Sequence, residues 1–124
     1  VAQRHSELKG ADKGSIIMII ATDLPMDARQ LKRLAKRSVA ALVRTGSCLG
    51  TGSGDICLAF STANKLKHEQ QGIEVITRFS ENDIDTAFDC VIEVTEEAII
   101  SSMLNSATVT GYQNNCRVSL AELL

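Results

Sequence analysis

The sequence predicts an α+β or layered α/β domain, on three observations. Two short runs, SIIMIIAT from Ser15 and ICLAFSTAN ending at Asn64, are dense in β-branched and aliphatic residues; a charged amphipathic segment separates them; and a long apolar stripe follows from Ser80. The 124 residues, 44% apolar and 23% charged, suffice for one compact core, which sets aside disordered, collagenous and fibrous classes.

In chain order, RHSELKGADKG is polar with two glycines and reads as a flexible lead-in that stops at Gly14. From Ser15, SIIMIIAT is so continuously apolar that a strand covered on both faces is expected. After DLP, MDARQLKRLAKRSVAALVRTG repeats Leu31, Leu34, Ala35, Ser38, Ala41 and Leu42 at helical spacing, with Lys32, Arg33, Lys36 and Arg37 on the other face. Pro25 near its start and Gly46 just past its end bound an amphipathic helix of about five turns. Its basic face reads as a solvated surface.

The glycine-rich stretch from Gly46 to Asp55 leads into the second apolar strand. A polar turn, KLKHEQQG, then precedes IEVITRF, whose alternation predicts a third strand with one wetter face. SENDIDTAFDCVIEVTEEAIISSMLNS carries Ile84, Ala87, Phe88, Val91, Ile92, Thr95, Ala98, Ile99 and Met103 in one stripe, which predicts a long helix capped by Ser80 or Asn82. At the end, Ser119 followed by Glu122 predicts a capping box and a short terminal helix.

A formal charge of −2 and 3% aromatic residues leave no electrostatic or stacking footprint for nucleic acid. The longest apolar run, Ile16 to Ala21, is far below the roughly 20 residues of a membrane-spanning helix. The first residues lack an apolar signal core and do not begin with Met, so they read as the middle of something longer. Cys48, Cys57, Cys90 and Cys116 form no CxxC pair and have no nearby histidine, which predicts reduced, mostly buried thiols, no metal and a cytoplasmic setting. His5 and His68 flank charged residues and read as solvated.

Two sites invite chemistry. The GTGSGD loop follows a helix and enters a strand, the reverse of a dinucleotide fingerprint, and it lacks the Lys and Ser or Thr of a P-loop, so no nucleotide cofactor is expected. What it offers is a close set of small polar groups, Ser47, Thr51, Ser53 and Asp55, which a simple self-satisfied turn would also explain. The other site is Ser15, after Gly14 and at the start of a buried strand. Cleavage between Gly14 and Ser15 would make Ser15 an N-terminal nucleophile with its own base, since a free α-amine with a pKa of about 7.7 to 8.0 accepts a proton near neutral pH and an amide nitrogen does not.

The stretch SIIMIIATDLPMDARQLKRLAKRSVAALVRTGS with GTGSGDICLAFSTAN, and the ATVTG turn after the long helix, resembles the β-chain of the self-processing L-aminopeptidase/D-esterase family, which includes D-aminopeptidases and the β-peptidyl aminopeptidases. The resemblance covers Ser15 to about Gly111. It implies a layered αββα fold of N-terminal-nucleophile-hydrolase type, shared with ornithine acetyltransferase, with residues 1–14 as the tail of an upstream α-part and residues 15–124 as the catalytic β-chain. It further implies a homo-oligomer of αβ units acting on amino-terminal residues of short peptides, amides or esters, with no cofactor. By position, Ser15 matches the nucleophile, Gly14 and Ser15 the autoprocessing site, and Ser53 and Asp55 the group that assists. The acid is Glu in some members and Asp here, one methylene shorter.

On this resemblance Ser53 would hydrogen-bond the nucleophile or the amine, and Asp55 would orient Ser53. The donors for the oxyanion and the pocket for the substrate's amino group would lie largely on the α-part. Thr51, Asn64 and Asn105 are candidates for loop-holding roles, with ordinary turn and cap duties as the alternative. Two other readings stay open: an acyltransferase of the ornithine acetyltransferase type, whose usual nucleophile is threonine, and a non-catalytic α/β subunit that does not process itself.

Overall fold

The computed structural model describes residues 14–69 and 71–124. The expected leader over residues 1–14 and His5 therefore lie, apart from Gly14, outside the described residues. Strand β1 (Ile17–Thr22) is followed by helix α1 (Ala28–Arg44) and strand β2 (Ile56–Ser61), which pairs with β1 in parallel. Parallel neighbours need a crossover, and α1 supplies it. A 3₁₀ turn (Glu81–Asp83) runs directly into helix α2 (Ile84–Leu104), and the short strands β3 (Val109–Thr110) and β4 (Cys116–Arg117) form an antiparallel hairpin before a last 3₁₀ turn (Leu120–Glu122).

Side chains satisfy the first free amides of α1 and of the 3₁₀ turn that leads into α2. Asp27 accepts from Gln30 N–H at 2.8 Å while Gln30 Oε1 accepts from Asp27 N–H at 3.2 Å, a reciprocal cap that opens α1. Past its end Gly46 adopts φ 103°, the left-handed conformation that glycine accepts without steric cost. Ser80 caps the 3₁₀ turn by accepting from Asn82 N–H, so the helix expected from Ser80 onward is present with a tighter first turn.

The core lies between the two helices and one face of the sheet. Met26, Leu34, Ile84, Ala87, Phe88 and Val91 are buried together, with Ile20, Leu24, Leu31, Phe79 and Ile92 packed against them. Burying a side chain such as Leu34 or Phe88 contributes about 1.5–3 kcal/mol. Arg33 and Arg37 of α1 lie over the Phe88 ring at 5.1 and 4.4 Å, so part of the basic face packs on an aromatic instead of being only solvated.

Three expectations are corrected. The strand read from IEVITRF is absent: residues 73–80 are irregular, with Ile73 97% and Val75 99% exposed, because no described strand lies alongside to take their backbone groups. Among the described residues the sheet is covered on one face, and Ile17, Ile19, Leu58 and Phe60 stand exposed on the other, the face on which a further layer is expected. The thiols are free, but Cys48, Cys90 and Cys116 are exposed and Cys57 is half-buried; Cys90 faces the uncovered edge of β1 beside Ile20 and Thr22. At the C-terminus Ser119 Oγ does accept from Ala121 N–H, yet Glu122 does not close the box. Thr108 Oγ1 accepts from Ser119 N–H at 2.9 Å and donates to Glu122 at 2.6 Å, leaving a single 3₁₀ turn. His68 is exposed, as expected, and no helix among the described residues is long and apolar enough to cross a membrane.

A carboxylate clasp joins the two helices. Glu81 pairs with Arg29, with Arg33 at 2.5 Å and with Arg78 at 2.8 Å, and Arg78 also reaches Asp27 at 2.7 Å. The fully buried Gln30 amide donates to Glu81 at 2.9 Å and to the Phe79 carbonyl at 3.0 Å. The Gln30 amide N–H holds the Asp27 carboxyl below its ordinary value; lost hydration opposes this and Arg78 reinforces it. For Glu81, lost hydration pulls upward, but Arg33 and Gln30 hydrogen bonds and the Arg29 and Arg33 charges outweigh it and leave the group lowered.

Because both carboxylates are more acidic folded than unfolded, their stabilisation is present above the ordinary values of 3.8 and 4.5 and is lost as pH falls through the lower folded values. The thermal midpoint should therefore drop on acidification below about pH 4.5. Glu81→Gln should lower the midpoint at pH 7 and converge on the parent in acid, which a pH series of melting curves reads directly.

Candidate active site

The parallel pairing brings Ser15 and the GTGSGD loop together. Ile17 lies opposite Ile56 and Thr22 opposite Ser61, so the same offset carried before the strands sets Ser15 beside Gly54 and Ile16 beside Asp55. The ladder is intact as far as Ile56 N–H, which donates to the Ile16 carbonyl at 2.9 Å. Evenly spaced parallel rungs would next send Ile16 N–H to the Gly54 carbonyl and Gly54 N–H to the Gly14 carbonyl. Side chains take both donors instead: Asp55 Oδ1 accepts Ile16 N–H at 3.2 Å, and Ser15 Oγ accepts Gly54 N–H at 3.0 Å.

Ser53 completes the group by donating its hydroxyl to the same Asp55 oxygen at 2.5 Å. Asp55 thus orients Ser53, one of the two contacts expected. The hydrogen bond on Ser15 Oγ comes from the Gly54 backbone and not from Ser53. Sequence reasoning missed Gly54, since a backbone donor carries no residue signature and its place opposite Ser15 follows only from a register between positions 39 apart. Ser15 is exposed while Ser53 and Asp55 are half-buried, so its hydroxyl is open to solvent beside a pair of polar side chains bonded to each other. Gly14, next to Ser15, is exposed as well.

Ser47, Asn64 and Asn105 hold local structure. Ser47 Oγ accepts from Leu49 N–H at 3.2 Å and Ser53 N–H donates to Gly50 at 3.0 Å, so the loop largely satisfies itself. Thr51 is exposed at the turn. Asn64 donates to the Thr77 carbonyl at 2.9 Å and accepts from Thr77 N–H at 3.1 Å, which closes the loop between them. Asn105 bonds back to the Ser101 carbonyl at the end of α2. Among the described residues no cluster of three His, Cys, Asp or Glu side chains could hold a metal ion.

The model of peptidase family S58 matches residues 1–117. The chain belongs to this family. The S58 chain is 43% identical over 99 residues to a β-peptidyl aminopeptidase of Sphingosinicella microcystinivorans, covering 79% of this chain and 25% of that protein. It superposes on a Pyrococcus horikoshii protein with a TM-score of 0.81 and 46% identity, over 95% of this chain and 34% of that one. With the L-aminopeptidase D-Ala-esterase/amidase of Ochrobactrum anthropi, a variant of the Ntn hydrolase fold, the TM-score is 0.77 and the identity 30%, over 93% of this chain and 34% of that one. The S58 chain therefore has this Ntn-hydrolase-type α+β fold. It spans between a quarter and about a third of the length of these relatives.

Removing the shared acceptor should be felt in stability. Asp55→Ala leaves both Ile16 N–H and the Ser53 hydroxyl without their acceptor and should cost about 1–3 kcal/mol of unfolding free energy, measured by urea titration.

Proposed function

We propose that this chain carries the nucleophile of a self-cleaving serine aminopeptidase, amidase or esterase that removes amino-terminal residues from short peptides, amides or esters. The observation that carries the reading is the meeting of Ser15, Gly54 and Asp55 where the β1–β2 ladder gives way to side chains. It is supported by the family membership and by relatives that are aminopeptidases.

In the proposed sequence, Ser15 Oγ first attacks the Gly14 carbonyl. The acyl group moves from nitrogen to oxygen, and water releases it, leaving a free α-amine on Ser15. Glycine at position 14 puts no side chain in the path of that attack. Thereafter Oγ attacks the substrate carbonyl while the α-amine takes its proton and returns it to the leaving amine, and water hydrolyses the acyl-enzyme. Ser53, whose hydroxyl Asp55 holds, would serve the ammonium, and the Asp55 carboxylate would supply the negative charge that favours it.

The uncovered sheet face suits the layered αββα arrangement. Ile17, Ile19, Leu58 and Phe60 would pack under a second sheet from the upstream α-part of the same precursor, in a homo-oligomer of αβ units. Free thiols suit a reducing, cytoplasmic setting.

Intact-mass spectrometry of the complete natural protein and its Ser15→Ala variant, after incubation near pH 8, tests the reading. Two fragments meeting between Gly14 and Ser15 in the parent and none in the variant are expected, together with loss of hydrolysis of amino-acid amides in the variant. An uncut parent would shift the assignment to a non-catalytic subunit.

A further inference from the structure

The nucleophile's oxygen is held by a donor that the assignment above does not use. Gly54 N–H stands 3.0 Å from Ser15 Oγ, at the point where ladder periodicity would have directed it to the Gly14 carbonyl. The neighbouring residues fix it there. Asp55 accepts from Ile16 N–H and from the Ser53 hydroxyl, so the residue after Gly54 is tied to the start of β1 and the residue before it is tied to Asp55. A Cβ placed on Gly54 would meet Ser15 Oγ at 3.6 Å, an ordinary van der Waals contact, so the hydroxyl packs directly against this residue.

A donor on a nucleophilic oxygen has two effects. It selects one rotamer of the serine, and it stabilises negative charge on that oxygen whenever the proton is absent. We propose that the Gly54 backbone N–H is a catalytic group of this site: it fixes Ser15 Oγ for attack and carries part of the charge on that atom as each acyl bond to it forms and breaks. This rests on Ser15 being the nucleophile.

The step balances without a further reactant. In acylation the Oγ–H bond breaks, its proton passes to the Ser15 α-amine, the Oγ–C bond forms and the leaving amine departs with that proton. In deacylation water adds to the acyl carbon, the C–Oγ bond breaks, and the oxygen regains a proton through the same amine. Oγ bears developing charge at the start of the first half and at the end of the second, so one N–H serves both. A backbone donor suits this role because it has no side-chain freedom to lose and cannot itself titrate.

The test replaces the amide of the complete, processed protein by an ester through Gly54→glycolic acid, which deletes the N–H and little else. Turnover of an amino-acid p-nitroanilide should fall about 10²-fold with the unfolding midpoint near that of the parent. In a Ser15→Cys background the same replacement should cost less than about threefold, since sulfur is a weak acceptor. Unchanged turnover in the serine enzyme overturns the proposal, and so does an equal loss in both backgrounds, which would mark a structural role. Activity surviving in Ser15→Ala would instead overturn the nucleophile assignment on which it rests.

If the ester chain does not fold, or the cysteine enzyme does not process, glycine-selective ¹⁵N labelling of the unmodified protein decides. In the processed parent the Gly54 amide proton should move when a slowly hydrolysed amino-acid ester acylates Ser15, since the charge on its acceptor changes. No movement overturns the proposal.

Discussion

The parallel pairing of β1 with β2 is the constraint on which the site depends. Its register places Ser15 beside Gly54 and Ile16 beside Asp55, residues that no local turn could bring together. A slip of one residue would exchange the two faces of a strand. Here it would also turn Met18 and Ile20 away from the helices and move the serine off the Gly54 amide. Alternation along β1 and β2 therefore secures both core and site.

The helices hold that register from one side. Leu34 of α1 and Phe88 and Val91 of α2 belong to the core cluster against which Ile20 packs, and the buried Gln30 ties the start of α1 to the Phe79 carbonyl and Glu81. Glu81 gathers three arginines from two separate parts of the chain, Arg29 and Arg33 on α1 and Arg78 before the 3₁₀ turn. At the carboxyl ends of the strands Ser61 Oγ donates to the Leu24 carbonyl at 2.6 Å and Thr22 Oγ1 accepts from Leu24 N–H at 3.1 Å. The far end of the sheet is pinned, while the end that carries Ser15 remains open.

That asymmetry matches the chemistry proposed for it. The proposed nucleophile would have to admit a carbonyl, and Ser15 is exposed, while Ser53 and Asp55 beside it are half-buried and bonded to each other. The bare sheet face and the uncovered edge of β1 are a different kind of exposure. They are broad and apolar, with Ile17, Ile19, Leu58 and Phe60 in two facing rows, the composition of a surface made for packing.

The sequence by itself determined what depends on near neighbours. The helical stripes at Leu34, Ser38, Ala41 and Leu42 and at Ile84, Ala87, Phe88 and Val91 announce their buried faces, and β-branched runs announce the strands, because periodicity is a local property. Ser15, Ser53 and Asp55 are distinctive as residue types, and the resemblance to a known family joins them without reference to geometry. Only the tertiary structure decided what depends on partners. IEVITRF alternates like a strand yet has no described neighbour to pair with, and Cys90 lies on a helix flank that overhangs the edge of the sheet instead of packing beneath it. Glu122 has the right spacing for a capping box, but Thr108, brought close by the β3–β4 hairpin, takes its hydrogen bond. The donor on Ser15 is a backbone amide 39 positions away, so its place beside the hydroxyl exists only once the two strands have paired.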